Sequence, residues 1–138
     1  MSQTSAQSVT RGLRLFVVED EAMIALAMED MLTDLGCIVV DVAGTLVQAM
    51  RRLDGMADAL DGAILDVNLG GGEKIYPVAD ALAVRGAPFI FATGYGPGGL
   101  DQRYRQTPVL AKPVGQAALR AALVKFRGPG GEDRASSS

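Results

Sequence analysis

Five polar side chains that could act together on a phosphate group stand at the ends of short apolar runs. Glu19 and Asp20 follow RLFVV, Asp66 interrupts AILDV, Thr93 follows PFIFA and Lys112 follows PVLA. Carboxylates crowded at one point repel each other by about 1 to 4 kcal/mol per pair at ~4 Å, so they need a cation. The candidate ligands are oxygens, and the chain has no histidine and a single cysteine, which favours Mg²⁺ over zinc.

Together these groups are the parts for phosphoryl transfer to a carboxylate. Asp66 would be the nucleophile and would form an acyl phosphate, while the Thr93 hydroxyl, the Lys112 ammonium and the divalent ion would surround the phosphoryl oxygens. Each residue alone also has an ordinary explanation. Asp20 could cap a helix, Asp66 could belong to a turn, Thr93 could satisfy a loop backbone and Lys112 could be a solvated charge.

The elements that must position these residues alternate along the chain. Five apolar runs without strict two-residue alternation are typical of strands covered on both faces: RLFVV (14–18), CIVV (37–40), AILDV (63–67), PFIFA (88–92) and PVLA (108–111). Helical patterns separate the first four runs and follow the last. They are an apolar stripe from Ile24 to Leu35 that stops at Gly36, a stripe behind a Thr45/Gln48 capping box, a segment from Pro77 to about Arg85, and a stripe from Leu119 to Phe126.

This order predicts an α/β, doubly wound domain with a five-stranded parallel sheet and right-handed crossovers. The segment GYGPGGLDQRYRQT admits only a short or irregular fourth helix, at about residues 100–105. Ligands of such sheets bind outside the carboxyl ends of the strands, near the point where the strand order reverses. The five polar side chains fall at that edge, and this convergence is stronger evidence for a site than any one of them.

Composition and charge narrow the classes of protein. The chain has 138 residues, of which 49% are hydrophobic and 5% aromatic, so one domain is expected, over residues 13–126, with disordered polar tails at 1–12 and 127–138. The net charge is −3, and because the basic residues form no cluster we expect no contact with nucleic acid. Cys37 is predicted to be an inert core thiol. Without an apolar run of ~18 residues, the protein is expected to be cytoplasmic.

The ordered set of Glu19/Asp20, Asp66, Thr93 and Lys112-Pro113 resembles that of the receiver domains of bacterial two-component response regulators, over roughly residues 13–126. More narrowly, the stretches DVNLGGGE (66–73), YPVADAL (76–82) and PFIFATGYG (88–96) are similar to FAT GUY receivers, a subgroup typical of alphaproteobacteria. The resemblance implies a CheY-like, flavodoxin-like fold with strand order 2-1-3-4-5 and the role of a single-domain response regulator.

Carried over by position, the resemblance implies a role for each site residue. Asp66 would be the phosphoacceptor, and Mg²⁺ would be held by Asp66, Asp20, Glu19 and the backbone carbonyl of Asn68. Thr93 and Lys112 would bind the phosphoryl oxygens, and the Lys112-Pro113 bond would be cis.

One position departs from the pattern. Most receivers carry a rotating Tyr or Phe three residues before the lysine, and here that position is Val109. Because valine is short and stiff at χ1, it cannot make that motion. We therefore expect Tyr95, in the glycine-rich stretch after Thr93, to be the moving aromatic.

The implied phosphoryl donor is a sensor histidine kinase or a histidine phosphotransferase, in general stress signalling, and the implied output is binding to a downstream protein partner. The chain would be a monomer or weak dimer, and a signalling phosphoacceptor with intrinsic autophosphorylation and autodephosphorylation chemistry rather than an enzyme. Other classes stay open. A haloacid-dehalogenase-like phosphatase needs a second acid where Asn68 stands. A flavodoxin-like nucleotide binder is disfavoured by the acidic Glu19–Glu21 stretch. The third alternative is a receiver-like interaction module or phosphate sink without a regulated output.

Overall fold

The computed structural model describes residues 9–56, 59–95 and 99–126. Within these ranges the chain alternates between strands and helices: β1 (Arg14–Val18), α1 (Ala22–Asp34), β2 (Ile38–Ala43), α2 (Leu46–Met56), β3 (Gly62–Asp66), α3 (Tyr76–Arg85), β4 (Phe89–Thr93), β5 (Val109–Ala111) and α4 (Gln116–Val124). The strands form one parallel sheet of order β2-β1-β3-β4-β5, which confirms the predicted fold. Across the described part of the chain, every helix is too short or too polar to cross a membrane.

Helices cover both faces of the sheet, because successive side chains of a strand point to opposite faces. On β1, Phe16 and Val18 pack with residues of α2 and α3, whereas Leu15 and Val17 pack with residues of α1 and α4. The central strand β3 is buried at every position. This double cover explains why the strands appear in the sequence as apolar runs without alternation.

The helix ends follow the signals in the sequence. Gly36, directly after the Leu35 cap of α1, has φ +83°, a conformation that suits glycine. At the start of α2 the Gln48 N–H donates to Thr45 Oγ1 at 3.1 Å, and the Gln48 side chain accepts from the Gly44 N–H at 3.0 Å. The reciprocal bond of this capping box therefore reaches one residue further upstream than in the usual arrangement.

Most elements begin or end within a few residues of their predicted bounds, and we note the differences at β2 and in the connection between β4 and β5. Strand β2 continues to Ala43, past the apolar run that ends at Val40, because residues 41–43 pair with Phe16, Val17 and Val18 of β1. The half-exposed Asp41 carboxylate accepts from the Val42 N–H at 2.8 Å. Between β4 and β5, the described residues include a 3₁₀ helix at Gln102–Tyr104, shorter than the segment expected. Residues 96–98, which belong to the predicted loop, lie outside the described residues.

The predicted tails lie largely outside the described residues, as far as residue 8 and from residue 127 onward. The residues just before β1 are described, and they form a turn that packs onto the domain. In this turn Thr10 is fully buried, and its hydroxyl donates to the Leu35 carbonyl at 2.6 Å, at the end of α1. Packing therefore begins before Leu13, the first residue of the predicted domain.

A glycine pair tests the packing of β3. A Cβ at Gly62 would lie 2.3 Å from Phe126 Cε2 and 2.9 Å from the Pro88 carbonyl, so we expect Gly62→Ala to lower the free energy of unfolding by about 1 to 3 kcal/mol. Gly55 in α2 is the control, because a Cβ there meets no atom within 4 Å and Gly55→Ala should stabilise by about 0.5 to 1 kcal/mol. Urea unfolding monitored by circular dichroism measures both. Equal free energies for the two variants would contradict this account.

Candidate functional site

The carboxyl ends of four strands bring the predicted residues to one edge of the sheet. Asp66 and Thr93 end β3 and β4, and Glu19 and Lys112 directly follow β1 and β5. Backbone hydrogen bonds continue past the strands, from the Glu19 N–H to the Ala43 carbonyl at 2.9 Å and from the Lys112 N–H to the Thr93 carbonyl at 3.0 Å. The backbone hydrogen bonds of the sheet therefore fix the positions of the backbone at Glu19 and Lys112.

A lysine bridges two buried carboxylates. Lys112 Nζ lies 2.8 Å from Glu19 Oε1 and 3.2 Å from Asp66 Oδ1. Glu19 and Asp66 are 6% and 4% exposed, so this ion-pair network has little contact with water. The Lys112-Pro113 bond, predicted to be cis, is cis in the structure.

Charge crowding changes the proton affinity of the site. Burial, with the nearby charge of Glu19, raises the pKa of Asp66 to about 7, although the Lys112 ammonium opposes this. Burial alone would lower the pKa of Lys112, but its hydrogen bond to Glu19 and the charge of Asp66 raise it above its ordinary value. Lys112 is therefore positively charged at neutral pH, while the raised pKa of Asp66 means that its carboxylate is favoured by a further positive charge.

The third carboxylate completes a group of oxygen ligands. Glu19, Asp20 and Asp66 each offer a carboxylate oxygen, and these atoms lie within 4.8 Å of one another. Asp20 is exposed, and a Cβ added to Gly70 would lie 3.3 Å from its Oδ2, so the loop after β3 closes on this carboxylate. Three hard oxygen donors, of which one faces solvent, suit Mg²⁺, which keeps several of its waters. The described residues therefore fit the predicted ion.

Asn68, two residues after Asp66, and Thr93, at the end of the neighbouring strand β4, make hydrogen bonds beside the acidic cluster. The Asn68 N–H donates to Asp66 Oδ1 at 3.3 Å, and the Asn68 side chain accepts from Lys74. The ligand role of the Asn68 carbonyl stays a prediction. Thr93 is 3% exposed, and its hydroxyl accepts from the Tyr95 N–H at 3.1 Å. Lys74 is not among the predicted site residues, because its signal in the sequence is no more than a lysine in a glycine-rich turn.

The two residues considered for the switch have different surroundings. Tyr95 is 82% exposed, so its ring lies at the surface while its backbone contacts the Thr93 hydroxyl. Val109 is partly buried and pairs in the sheet with Phe91. The structure places Tyr95 beside the site through its main chain, and the proposed motion of its ring stays a prediction.

Solved structures similar to this chain identify its family. SdrG from Sphingomonas melonis Fr1 is 43% identical, with a TM-score of 0.74, over 83% of this chain and 96% of that chain. A receiver protein of a response regulator from Sinorhizobium medicae WSM419 shares the fold, with 22% identity and a TM-score of 0.70, over 86% of this chain and 96% of that chain. The chain belongs to the response regulator receiver domains. Neither protein-family models nor curated proteins give a match to the sequence.

Two further relatives extend the comparison of this receiver. The BeF3-activated conformation of SdrG from Pseudomonas melonis Fr1 is 44% identical, with a TM-score of 0.69, over 80% of this chain and 92% of that chain. The PhyR stress response regulator is 28% identical, with a TM-score of 0.72, over 91% of this chain. The receiver spans 50% of that longer PhyR chain. The similarity to PhyR therefore concerns one part of a larger protein.

Competition between a proton and Mg²⁺ at Asp66 gives a test of the ligand group. Below pH 7 the metal must displace the proton, so we expect Mg²⁺ affinity to rise about tenfold from pH 6 to pH 8. Asp66→Asn has no proton to lose at this position and should bind more weakly, with a smaller dependence on pH. Calorimetric titration at both pH values measures the two proteins. A wild-type affinity that does not change with pH would contradict the role of Asp66 as a ligand.

Proposed function

We propose that this receiver accepts a phosphoryl group on Asp66 from a phosphohistidine of a sensor histidine kinase or a histidine phosphotransferase. The observation that supports this most directly is the distance of 3.2 Å between Lys112 Nζ and Asp66 Oδ1. It places a cation beside a buried carboxylate at the end of the central strand. An ammonium in this position can stabilise the charge that develops on a transferring phosphoryl group.

The reaction requires one bond to form and one to break. A carboxylate oxygen of Asp66 attacks phosphorus, and the bond from phosphorus to the donor imidazole nitrogen breaks with its electron pair on nitrogen. When the second ring nitrogen of the phosphohistidine carries a proton, the products are an acyl phosphate on Asp66 and a neutral imidazole. Hydrolysis by water then returns the Asp66 carboxylate and releases inorganic phosphate. In this proposal the chain is a signalling phosphoacceptor with intrinsic autophosphorylation and autodephosphorylation chemistry rather than an enzyme.

The neighbouring residues have separate tasks in this reaction. Mg²⁺, held by Glu19, Asp20 and Asp66, would neutralise charge on the phosphoryl oxygens. Lys112, which now divides its contacts between Glu19 and Asp66, can turn toward a new phosphoryl oxygen without leaving the site. Thr93 can donate its hydroxyl proton to another oxygen, since the bond with Tyr95 uses only a lone pair of that hydroxyl.

The pathway is proposed from the resemblance and from the relatives. The FATGYG stretch favours the FAT GUY subgroup, and the similar PhyR structure is described as that of a stress response regulator. We therefore place this receiver in general stress signalling, with a downstream protein as the reader of its state. A phosphate sink shares the same chemistry but would have no protein partner whose binding depends on phosphorylation. A receiver-like interaction module would instead bind its partner equally with and without phosphorylation.

Phosphotransfer tests the acceptor. Asp66→Asn should abolish labelling from a phosphorylated histidine kinase or phosphotransferase, because the amide is a poor nucleophile, while its circular dichroism spectrum stays that of the wild type. Asp54→Asn, on the exposed surface of α2, is the control and should be labelled normally. Beryllofluoride should bind the wild type only when Mg²⁺ is present. Labelling of Asp66→Asn at the wild-type rate would disprove the assignment.

Hydrogen exchange tests the proposed switch. Beryllofluoride with Mg²⁺ should change protection in the described parts of the connection between residues 94 and 107, where the Tyr95 ring moves from its exposed position. A shift of that connection from 1:99 to 99:1 requires about 5.5 kcal/mol of differential interaction. Thr93→Ala should remove the response, and Thr93→Ser, which keeps the hydroxyl, should retain it. A wild-type response restricted to residues around Asp66 would contradict this route.

A further inference from the structure

A cluster of polar and aromatic side chains ties the connection between β4 and β5 to helix α3. Asp80, on α3, accepts hydrogen bonds from the Tyr104 hydroxyl and from Arg103 Nη2, the latter at 3.1 Å. Tyr76, the first residue of α3, accepts at its hydroxyl oxygen from the Asp101 N–H at 2.8 Å. We call Tyr76, Asp80, Arg103 and Tyr104 the α3 latch.

Ring stacking gives the α3 latch a defined geometry. The rings of Tyr76 and Tyr104 are stacked, with centroids 5.8 Å apart and an interplanar angle of 10°. The Arg103 guanidinium lies 5.2 Å from the Tyr104 centroid and 5.9 Å from that of Tyr76. Because the side chains of Arg103 and Asp80 are 53% and 46% exposed, their ion pair alone contributes little. The stacked rings and the carboxylate shared by two donors are what orient the segment.

The Tyr104 hydroxyl donates a hydrogen bond to Asp80 in the α3 latch. Burial, together with the hydrogen bond to Asp80, raises the pKa of Tyr104 to about 12. The hydroxyl therefore keeps its proton well above neutral pH and can donate it to Asp80. This bond joins the 3₁₀ helix to the middle of α3.

The α3 latch is connected to the phosphoacceptor site through β4. Phe91, two residues before Thr93, is fully buried, and its ring meets the rings of Tyr104 and Tyr76 edge to face, with centroids 5.6 Å and 6.1 Å apart. At the end of the same strand, Thr93 holds the start of the connection through the Tyr95 N–H. The connection is thus attached to the site at one end and to α3 at the other.

We propose that the α3 latch carries a rearrangement at Thr93 to helix α3, so that the outer surface of α3 differs between the two states of Asp66. Displacement of the connection moves Tyr104, and Asp80 transmits this movement to the helix because it binds Tyr104 and Arg103 together. Asp80 and Tyr104 are positioning residues, which act through the connection and touch no phosphoryl group. Near the end of the same helix Val84 is 88% exposed, an apolar side chain that a protein partner could contact.

The inference rests on the proposed phosphorylation of Asp66, and NMR tests it in the whole chain. Beryllofluoride with Mg²⁺ should shift the amide signals around Asp66 and also those of α3 in the wild type. In Tyr104→Phe, which keeps the ring and removes the hydroxyl, the shifts around Asp66 should persist while those of α3 fall to less than about half. Asp80→Ala should give the same result. Each variant is compared with itself before and after beryllofluoride, which removes the direct effect of the substitution.

Asp54→Asn is the matched control. Asp54 lies 3.6 Å from Arg85 at the end of α3 and has no part in the α3 latch, so this variant should keep the full response of α3. Equal α3 responses in the wild type, Tyr104→Phe and Asp80→Ala would overturn the coupling and leave the proposed function intact. Absence of any response around Asp66 in the wild type would instead overturn the proposed function, and the coupling with it.

Discussion

The site is organised around one ammonium that serves two buried carboxylates. Glu19 and Asp66 come from the ends of neighbouring strands, so their charges are close together in a region with little water. Lys112 arrives from β5, on the far side of β4 from β3, and because neighbouring strands lie about 4.8 Å apart, β5 and β3 are about 10 Å apart. The side chains of Lys112 and Asp66 span that distance together. Thr93 ends the strand that Lys112 crosses. Because β5 is separated from β3 by β4, the residue after β5 needs a long side chain to reach Asp66, as Lys112 has.

The burial of two neighbouring carboxylates is electrostatically unfavourable. The pKa of Asp66 in the folded protein, about 7, lies well above the ordinary value of an aspartate. The contribution of Asp66 to the free energy of unfolding is therefore greatest at low pH and is lost as the pH rises through 7. At neutral pH the folded chain gains from any further positive charge at Asp66. A divalent ion can provide that charge, and Lys112 alone does not, since it is shared with Glu19. The repulsion between the crowded carboxylates is thus the same property that would favour metal binding.

The sequence predicts the fold, and the convergence of the candidate site residues at one edge of the sheet, because both follow from the signals that define the strands. Short apolar runs and helix caps define the elements, and the rule for the carboxyl ends of parallel strands brings Glu19, Asp66 and Lys112 together before any coordinate is known. The α3 latch has no such signal, because Asp80 occupies an ordinary polar position of a helix and its bond to Tyr104 joins residues 24 apart in the chain. Thr10 escaped prediction for the same reason, since its burial depends on a contact with the end of α1.

Val109 on β5 and Tyr104 of the α3 latch pack against the same core cluster. Val109 lies beside Phe91 in the sheet, and Tyr104 contacts the Phe91 ring from the connection that precedes β5. Both side chains pack against the same core cluster, so a larger aromatic residue at position 109 would compete with Tyr104 for space. A short side chain on the strand therefore permits an aromatic side chain to enter from the connection instead. In this receiver an aromatic contact with β4 is retained, but it comes from a segment whose position depends on α3 rather than from a strand that the sheet holds in place.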